Sequence, residues 1–326
     1  MEETIQERPL VTFALFAYNQ EEYIREAIEG ALSQTYEPLE IILSDDCSSD
    51  RTFEIMQVMA AKYRGPHNIH VRRNEFNMGL SNHVNKVFDN SHGRIFIIAA
   101  GDDVSLPTRT DISVSLFNKH KNASSVLLSA DLINSHGDVI GEKFINKEGD
   151  ECSLQNIQDL LSWRHTTFGA SRAIKRTVYT AFGELNSNCP TEDTPLLLRS
   201  LILGDNVKCR TKGIKYRKHD SNLSSIESIM GMDLGAIYSQ YLDDVDKASC
   251  ENLAPESVLK RIRNWILVDR KVREIKLAVA SGSSYKLSGL IFLTFRTPKN
   301  AVEIVKLILL QRMPWLHKFA YSLKIK

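Results

Sequence analysis

Pairs of adjacent carboxylates recur along the chain at the ends of apolar runs or the starts of helical ones. They are Asp45-Asp46, Asp102-Asp103 and Glu192-Asp193. Two neighbouring carboxylates after a buried strand are costly unless they are paired or bind a cation. Mg²⁺ and Mn²⁺ favour carboxylate and phosphate oxygens, usually with one or two protein carboxylates per ion. The pair Asp102-Asp103 therefore predicts a divalent cation site that is shared with the phosphates of a ligand.

Each pair also fits a structural role as a helix cap, because Asp and Ser are preferred at N-caps. Ser49 or Asp50 suffices to cap the helix after Asp46, so we predict that Asp46 accepts a hydrogen bond from a nucleobase or a ribose. A carboxylate at a helix start is stabilised in its charged form, which is the form that a general base needs. The base prediction falls on Asp193, and His219 is a candidate metal ligand because neutral histidine commonly binds metals.

Short apolar runs alternate with segments of helical periodicity over roughly the first 110 residues. The predicted strands are 11–17, 39–43, 69–72 and 94–100, and the predicted helices are 21–32, 52–63 and 80–88. This alternation is typical of a mostly parallel, doubly wound α/β sheet. Ligands of such sheets bind at the carboxyl ends of the strands, where these polar turns lie.

The pattern is looser beyond residue 110. It predicts a strand at 125–132, a helix at 154–161, a strand or helix within 172–182 and a helix at 193–203. Every long segment from about residue 226 has helical periodicity. We therefore predict a boundary near residue 225, with one domain over 1–225. A helical, basic C-terminal region follows at 226–326.

Composition and cysteine usage indicate a globular protein of the cytoplasm. The 326 residues are 43% hydrophobic and 25% charged, which is ordinary for folded domains. The first residues do not resemble a signal peptide, and no apolar run reaches the roughly 18 residues of a membrane span. The five cysteines lack the spacing of a zinc or redox site and are predicted to be reduced thiols.

The charge is divided unevenly between the two regions. Residues 252–326 contain 15 Lys or Arg and 4 Asp or Glu, whereas the preceding residues contain 26 and 36. This asymmetry predicts an anionic partner, and we expect peripheral contact of residues 253–326 with the inner face of the cytoplasmic membrane. The alternative is a helical cap packed on the acidic catalytic domain. The basic residues form no nucleic-acid-binding motif, so no nucleic acid is expected.

Taken together, the segments resemble glycosyltransferase family 2, which has the GT-A fold, and in particular its bacterial surface-polysaccharide members. Seven stretches carry the resemblance: Val11–Asn19, Ala31–Tyr36, Ile41–Asp50, Asn77–Leu80, Gly101–Asp103, Glu192-Asp193 and Tyr216–Ser224. Three positions depart from the family pattern. Phe16 replaces the usual proline or small polar residue before the nucleotide turn, Ala17 replaces a frequent threonine or serine, and Ala100 replaces a frequent first aspartate of the metal motif.

The resemblance implies a catalytic domain over 1–225, with a nucleotide-binding half at about 1–110 and an acceptor half at about 111–225. It also implies a role for each site residue. Nucleotide binding would fall to Tyr18 stacking on the base, Asn19 in the same turn, Asp46 reading a base that is commonly uracil, Gly79, and Asp102 near the ribose. Asp103 would bind Mn²⁺ or Mg²⁺, with His219 completing the metal or diphosphate site. Asp193 would be the catalytic base, and Glu192 its neighbour facing the acceptor.

The implied reaction is the inverting transfer of one sugar from a nucleotide-diphosphate sugar, a UDP-sugar in the first place, to a hydroxyl of a glycan or lipid-linked saccharide. Gln311–Trp315 has the letters but not the spacing of the motif of processive synthases, which favours single transfer. One alternative is a nucleotidyltransferase, although the turn Ala17–Gln20 lacks the glycines of a phosphate loop. The other is a non-catalytic sugar-nucleotide-binding scaffold at a membrane.

Overall fold

The computed structural model describes residues 8–146, 149–219 and 231–280. The strands are β1 (Val11–Ala17), β2 (Leu39–Asp45), β3 (Asn68–Arg73), β4 (Ile95–Ala100), β5 (Val104–Ser105), β6 (Ala123–Ile133), β7 (Val139–Lys143), β8 (Cys152–Gln155), β9 (Arg172–Lys175) and β10 (Asp205–Arg217). The helices are α1 (Ile24–Leu32), α2 (Thr52–Lys62), α3 (Leu80–Asp89), α4 (Arg109–Lys119), α5 (Ile157–Leu161), α6 (Thr177–Thr180), α7 (Asp193–Leu203), α8 (Leu234–Cys250) and α9 (Glu256–Ala280). A 3₁₀ turn occupies Gly169–Ser171.

These strands form one mixed sheet in the order β3-β2-β1-β4-β9-β6-β10-β5, with β7 beside β6 and β8 beside β10. Strands β3, β2, β1 and β4 are parallel, as predicted for the first part of the chain. Beyond β4 the sheet is no longer mostly parallel. Strands β6 and β10 are parallel, but β9, β7, β8 and β5 pair antiparallel to their neighbours. Short connections such as the turn between β6 and β7 permit only antiparallel pairing.

Helices cover both faces of the sheet, and β1 shows why its sequence is uninterruptedly apolar. Side chains of a strand alternate between faces. Phe13 and Leu15 join the cluster with α1, α2 and α4, whereas Ala14 and Phe16 join the cluster with α3, α6 and α7. All seven residues of β1 are buried. Strand β1 therefore has no solvent-facing side, which accounts for its continuous apolar sequence.

The helix predicted at 154–161 is wrong in its first part. Residues 152–155 form β8, which pairs with β10, and the helix begins only at Ile157. Asn156 separates the two elements. Its side chain accepts a hydrogen bond from the N–H of Gln158, and Asp159 accepts from the N–H of Asn156, which is a capping box. Pairing with β10 decides the conformation of the residues before this cap.

Strand β10 was not predicted, although it is the longest strand of the described residues. Its buried Val207 and Cys209 alternate with the half-buried Lys208 and Arg210, and the register then shifts between Cys209 and Lys212. The shift breaks the two-residue period on which a sequence-based assignment depends.

The C-terminal helices described, α8 and α9, pack on the acceptor half through a shared apolar cluster. Leu197 and Leu201 of α7 meet Tyr241 of α8 and Ile262 and Trp265 of α9 in this cluster. No helix in the described part of the chain is long and apolar enough to cross a membrane. The predicted domain boundary at 225 and the tail residues 281–326 lie outside the described residues.

Candidate active site

The turns after β2 and β4 are both anchored on the end of β1. The N–H of Asp46 donates to the carbonyl of Ala17 over 2.9 Å, and the N–H of Gly101 donates to the carbonyl of Phe16 over 2.8 Å. The carboxyl ends of these three parallel strands therefore meet at one edge, as expected for a ligand site in such a sheet.

Tyr18 and Asn19 form the turn that leaves β1 at this edge. The N–H of Asn19 donates to Ser48 Oγ, and Asn19 Oδ1 accepts from the N–H of Ser49, each over 2.8 Å. Asn19 has a φ of 51°, a conformation that asparagine tolerates better than most residues. Tyr18 is 46% exposed. The fixed turn thus presents an open aromatic ring on which a base can stack.

Asp46 is buried and organises the turn before α3. Its Oδ1 accepts from Asn74 Nδ2 over 2.6 Å and from the N–H of Met78 over 2.9 Å, and its Oδ2 accepts from the N–H of Gly79 over 3.1 Å. Gly79 has a φ of 76°, which side chains disfavour. Two residues predicted to bind the nucleotide are therefore in direct contact. Asp50 precedes Arg51, the N-cap of α2, and accepts from the N–H of Thr52 over 2.9 Å, whereas the N-cap itself makes no side-chain hydrogen bond.

Asp102 and His219 face each other although they lie in different halves of the domain. His219 Nε2 is 2.9 Å from Asp102 Oδ2, and the histidine ring packs on Tyr23 with 5.0 Å between centroids. Both side chains keep a small exposed fraction, 13% for Asp102 and 11% for His219. The pair is therefore mostly buried but keeps some contact with solvent.

Asp103 has different surroundings, which are almost wholly buried. Its Oδ1 accepts from the N–H of Arg217 over 2.8 Å, whereas the described residues offer no hydrogen-bond partner to Oδ2. Burial raises the pKa of Asp103 well above its usual range, and the neighbouring charge of Asp102 raises it further. Arg217 also donates from Nε to the carbonyl of Asp102 and from Nη2 to Glu26. Arg217 therefore fixes the turn that carries both aspartates.

The oxygen and nitrogen atoms at this edge are suitable ligands for a cation that also binds the phosphates of a ligand. Among the described residues, no three His, Cys, Asp or Glu side chains are grouped to hold a metal by themselves. Asp102 and His219 present one oxygen and one nitrogen within 2.9 Å of each other, and Oδ2 of Asp103 lacks a partner. Mg²⁺ is commonly held by one or two carboxylates together with substrate phosphates. The observed donor set matches that arrangement.

Asp193 is held by a buried arginine at the start of α7. Its Oδ1 accepts from Arg172 Nη2 over 2.6 Å, from Arg172 Nε over 3.2 Å and from Thr167 Oγ1 over 2.7 Å. Gly169 packs so closely that a Cβ there would lie 3.0 Å from Asp193 Cγ and would displace the carboxylate slightly. Asp193 Oδ2 has no hydrogen-bond donor within the described ranges. One oxygen fixes the carboxylate, and the other is available to a ligand.

Glu192 lies in a different environment from Asp193. Burial raises its pKa to about 7, and the charge of Asp193 adds to the effect. Asp193 instead pairs with the guanidinium of Arg172. Adjacent carboxylates in unlike environments are typical of sites that divide proton transfer and charge stabilisation between two groups.

Sequence reasoning missed Arg172 and Thr167, the residues that orient the predicted base. Neither belongs to a recognisable spacing pattern, because both reach Asp193 only through the tertiary fold. Arg217 lay within a stretch that had been recognised, but its bonds to residues 102, 103 and 26 could not be read from spacing.

Known proteins resemble this chain in sequence. The family model described as "Glycosyl transferase family 2" matches residues 12–174, half of the chain. A putative glycosyltransferase, EpsE of Bacillus subtilis, is 34% identical over 114 residues, which are 35% of this chain and 40% of that protein. An uncharacterized glycosyltransferase of Rickettsia felis is 26% identical over 242 residues, 73% of this chain and 39% of that protein. The chain thus spans about two fifths of the length of these curated relatives.

Solved structures resemble the whole described fold. The crystal structure of S. aureus TarS 1-349 in complex with UDP has a TM-score of 0.61 at 14% identity, covering 93% of this chain and 86% of that one. The complex of the same protein with UDP-GlcNAc has a TM-score of 0.54 at 15% identity, covering 85% and 93%. The GT-A fold predicted from the sequence is thereby confirmed.

Proposed function

The chain belongs to glycosyl transferase family 2 and is a glycosyltransferase, and from that premise we propose the reaction of its site. The proposed reaction is the inverting transfer of one sugar from a UDP-sugar to a hydroxyl of a glycan or lipid-linked saccharide, in the synthesis of a cell-surface polysaccharide. The observation that carries the proposal is the oriented carboxylate of Asp193, with one oxygen paired to buried Arg172 and the other available.

The donor nucleotide is proposed to lie at the end of β1. Tyr18 offers an exposed ring for stacking, and the Asn19 turn is fixed by Ser48 and Ser49. Asp46 lies beside this turn and is the carboxylate proposed to accept the N–H of uracil. A carboxylate oxygen accepts more than one hydrogen bond, so the bonds from residues 74, 78 and 79 leave this capacity in place.

Asp193 is the proposed general base and lies on one side of the site, whereas Asp103 lies on the other. Aromatic residues next to their hydrogen-bonding partners join the two sides. Thr167, which donates to Asp193, precedes Phe168, and Arg217, which donates to Asp103, follows Tyr216. The rings of Phe168 and Tyr216 are in contact, with 5.3 Å between centroids. Asp193 takes the proton of the acceptor hydroxyl as its oxygen attacks the anomeric carbon from the side opposite the leaving diphosphate.

A bound Mn²⁺ or Mg²⁺ would neutralise the negative charge that develops on the leaving diphosphate. The sequence placed the cation on Asp103 and His219 and the ribose on Asp102. The partly exposed pair of Asp102 and His219, together with the burial of Asp103, favours Asp102 as the carboxylate that holds the ion. In this assignment Asp103 keeps β10 joined to the end of β4 through Arg217.

A polar groove supports a saccharide acceptor. Its lining combines amide and carboxylate side chains with one phenyl ring, including Asn82, Asn186, Gln240, Asp243 and Phe182. Asn82 lies one turn from Gly79, and Asn186 lies in the loop that leads to Glu192. We place the part of the acceptor beyond the reacting hydroxyl in this groove, because sugars are bound by such planar polar groups.

The membrane contact remains part of the proposal as a peripheral one at the cytoplasmic face. The exposed side of α9 carries basic residues, namely Lys260, Arg261, Arg270 and Lys271. Its apolar side already packs on α8. Co-sedimentation with vesicles that contain anionic lipid, compared with neutral vesicles, tests this contact, and equal sedimentation with both would remove it.

A thermal-shift screen tests the donor. UDP, GDP and dTDP, and the corresponding sugar nucleotides, are added with and without Mn²⁺, and a uridine nucleotide is expected to raise the unfolding temperature most. Stabilisation by another nucleotide alone would replace the uridine assignment. No stabilisation by any of them would contradict the proposed function.

Asp193→Asn tests the chemistry separately from donor binding. Because a positioned base contributes about 10²- to 10⁴-fold, transfer should fall by that factor while the donor-induced thermal shift persists. Persistent transfer would refute the base assignment. If neither the wild type nor Asp193→Asn transfers sugar, although both bind the donor, a non-catalytic scaffold is favoured instead.

A further inference from the structure

Lys143, at the end of β7, lies between the two sides of the site and has no role in the function proposed above. Its Nζ lies 3.7 Å from the ring centroid of Phe168 and 5.4 Å from that of Tyr216. These rings are the neighbours of Thr167, which holds Asp193, and of Arg217, which holds Asp103. The ammonium group therefore lies where the base side and the cation side of the site adjoin.

The surroundings of Lys143 hold its charge in place without neutralising it. Within the described part of the chain, Nζ has neither a hydrogen-bond acceptor nor a carboxylate in ion-pair distance. Burial lowers the pKa of Lys143, and the charges of Asp193, Lys218 and Asp103 are close enough to act on it. Two aromatic faces stabilise a cation but accept no conventional hydrogen bond. The ammonium therefore makes no conventional hydrogen bond within the described residues, and it has N–H donors to offer to a ligand.

We propose that Lys143 binds the β-phosphate of the donor and donates a hydrogen bond to the oxygen that leaves with the diphosphate. As the acceptor oxygen bonds to the anomeric carbon, the bond from that carbon to the β-phosphate oxygen breaks and its electron pair stays on the oxygen. The acceptor proton passes to Asp193, and Lys143 keeps its own. The inference rests on the proposed function, because it names a contact of the same donor.

The two phosphates of the donor give a direct test. Binding of UDP and UMP, and of GDP and GMP in a parallel arm, is measured by calorimetry for the wild-type protein and for Lys143→Met. Methionine retains contact with both rings, so the fold should persist. A charge-assisted hydrogen bond corresponds to about a ten- to hundredfold affinity change. The variant should lose that factor for the diphosphate and less than about twofold for the monophosphate.

Lys212→Met is the matched control, because it removes the same charge from β10, which like β7 pairs with β6. Lys212 Nζ pairs with Asp131 over 2.6 Å and with Glu142. Neither Asp103 nor Asp193 is among the charges that act on it. The Lys212→Met variant should prefer the diphosphate over the monophosphate to the same extent as the wild type. Lys143→Arg keeps the charge and should retain most of the preference, which guards against misfolding of the methionine variant.

The outcomes separate the two proposals. If the wild type prefers the diphosphate and Lys143→Met preserves that preference, the inference fails and the proposed function stands. If the wild type binds none of the nucleotides, the proposed function fails and the inference fails with it.

Discussion

The guanidinium of Arg172 and the carboxylate of Asp193 form an ion pair with 2.6 Å between Nη2 and Oδ1, and Thr167 Oγ1 donates to the same oxygen. Arg172 is fully buried, whereas the Asp193 side chain is 21% exposed. The pair therefore fixes the direction of the second carboxylate oxygen without occupying it. A general base needs this combination of orientation and availability.

Thr167→Val tests whether this orientation matters. Valine has the shape of threonine but donates no hydrogen bond, so the carboxylate should lose part of its alignment. We expect kcat to fall about tenfold with the donor KM unchanged, because misplacement of a catalytic group acts mainly on the chemical step. Steady-state kinetics measure both constants. Thr211→Val, which removes a hydroxyl bonded to Glu151 at another edge of the sheet, should match the wild type. Equal kcat in both variants would contradict the prediction.

Glu192→Gln should make stability less dependent on pH. In the folded protein, burial raises the pKa of Glu192 from 4.5 to about 7. Between these values the folded state holds a proton that the unfolded state has released, so stability falls as pH rises through this window. The interval corresponds to at most about 3 kcal/mol. Urea unfolding at about pH 5 and about pH 8 should show the variant gaining relative to the wild type only at the higher pH. A constant difference between the two proteins would disprove the shift.

Asp102→Asn and Asp103→Asn should differ in their need for Mn²⁺. If Asp102 and His219 hold the cation, Asp102→Asn should raise the Mn²⁺ concentration needed for half-maximal activity by at least about tenfold. Asp103→Asn retains an oxygen for the N–H of Arg217 and removes a buried carboxyl, so its Mn²⁺ requirement should change little. Activity is measured over a Mn²⁺ titration at saturating donor. The reverse order of the two variants would return the cation to Asp103.

Asp269→Asn should loosen the contact between α9 and the loop of Trp163, which leads to Thr167, the residue that donates to Asp193. Asp269 Oδ1 accepts from Trp163 Nε1 over 3.1 Å, and its Oδ2 accepts from Tyr238 over 2.6 Å and from Arg273 over 3.0 Å. Loss of charge at such a buried acceptor should cost about 2 to 4 kcal/mol of unfolding free energy.

Asp246→Asn provides the comparison for that measurement. Asp246 lies on α8, is 65% exposed and pairs with Arg263. Exposed pairs contribute about 0 to 1 kcal/mol, so this variant should unfold like the wild type. Similar losses for the two variants would show that the buried network is not special.

The nucleotide half could be predicted because its signals are local. The apolar run of β1 and the helical period of the segments after it both follow from short-range patterns, and the strand ends then define the edge with Asp46 and Asp102. Gly79 was predicted from a recognised turn, and its φ of 76° explains the residue type.

The acceptor half could not be predicted to the same depth, because its elements depend on pairing over long distances in the chain. Residues 152–155 are a strand only because β10 lies beside them. Lys143 reaches the site through a hairpin and two aromatic rings that no spacing relates to it. Tertiary contacts, rather than local preference, decide such positions.

Asp102 and His219 meet across 117 residues of sequence, and Asp103 is joined to Arg217 across 114. A polypeptide leaves the ribosome from its N-terminus, and contacts between distant residues must wait for the later partner. Residues 1–110 are therefore synthesised long before β10 can add its part of the proposed site. A nascent chain arrested before residue 217 contains the turn of Tyr18 and Asn19 but lacks the histidine opposite Asp102, so the proposed site is assembled only in a late step of folding.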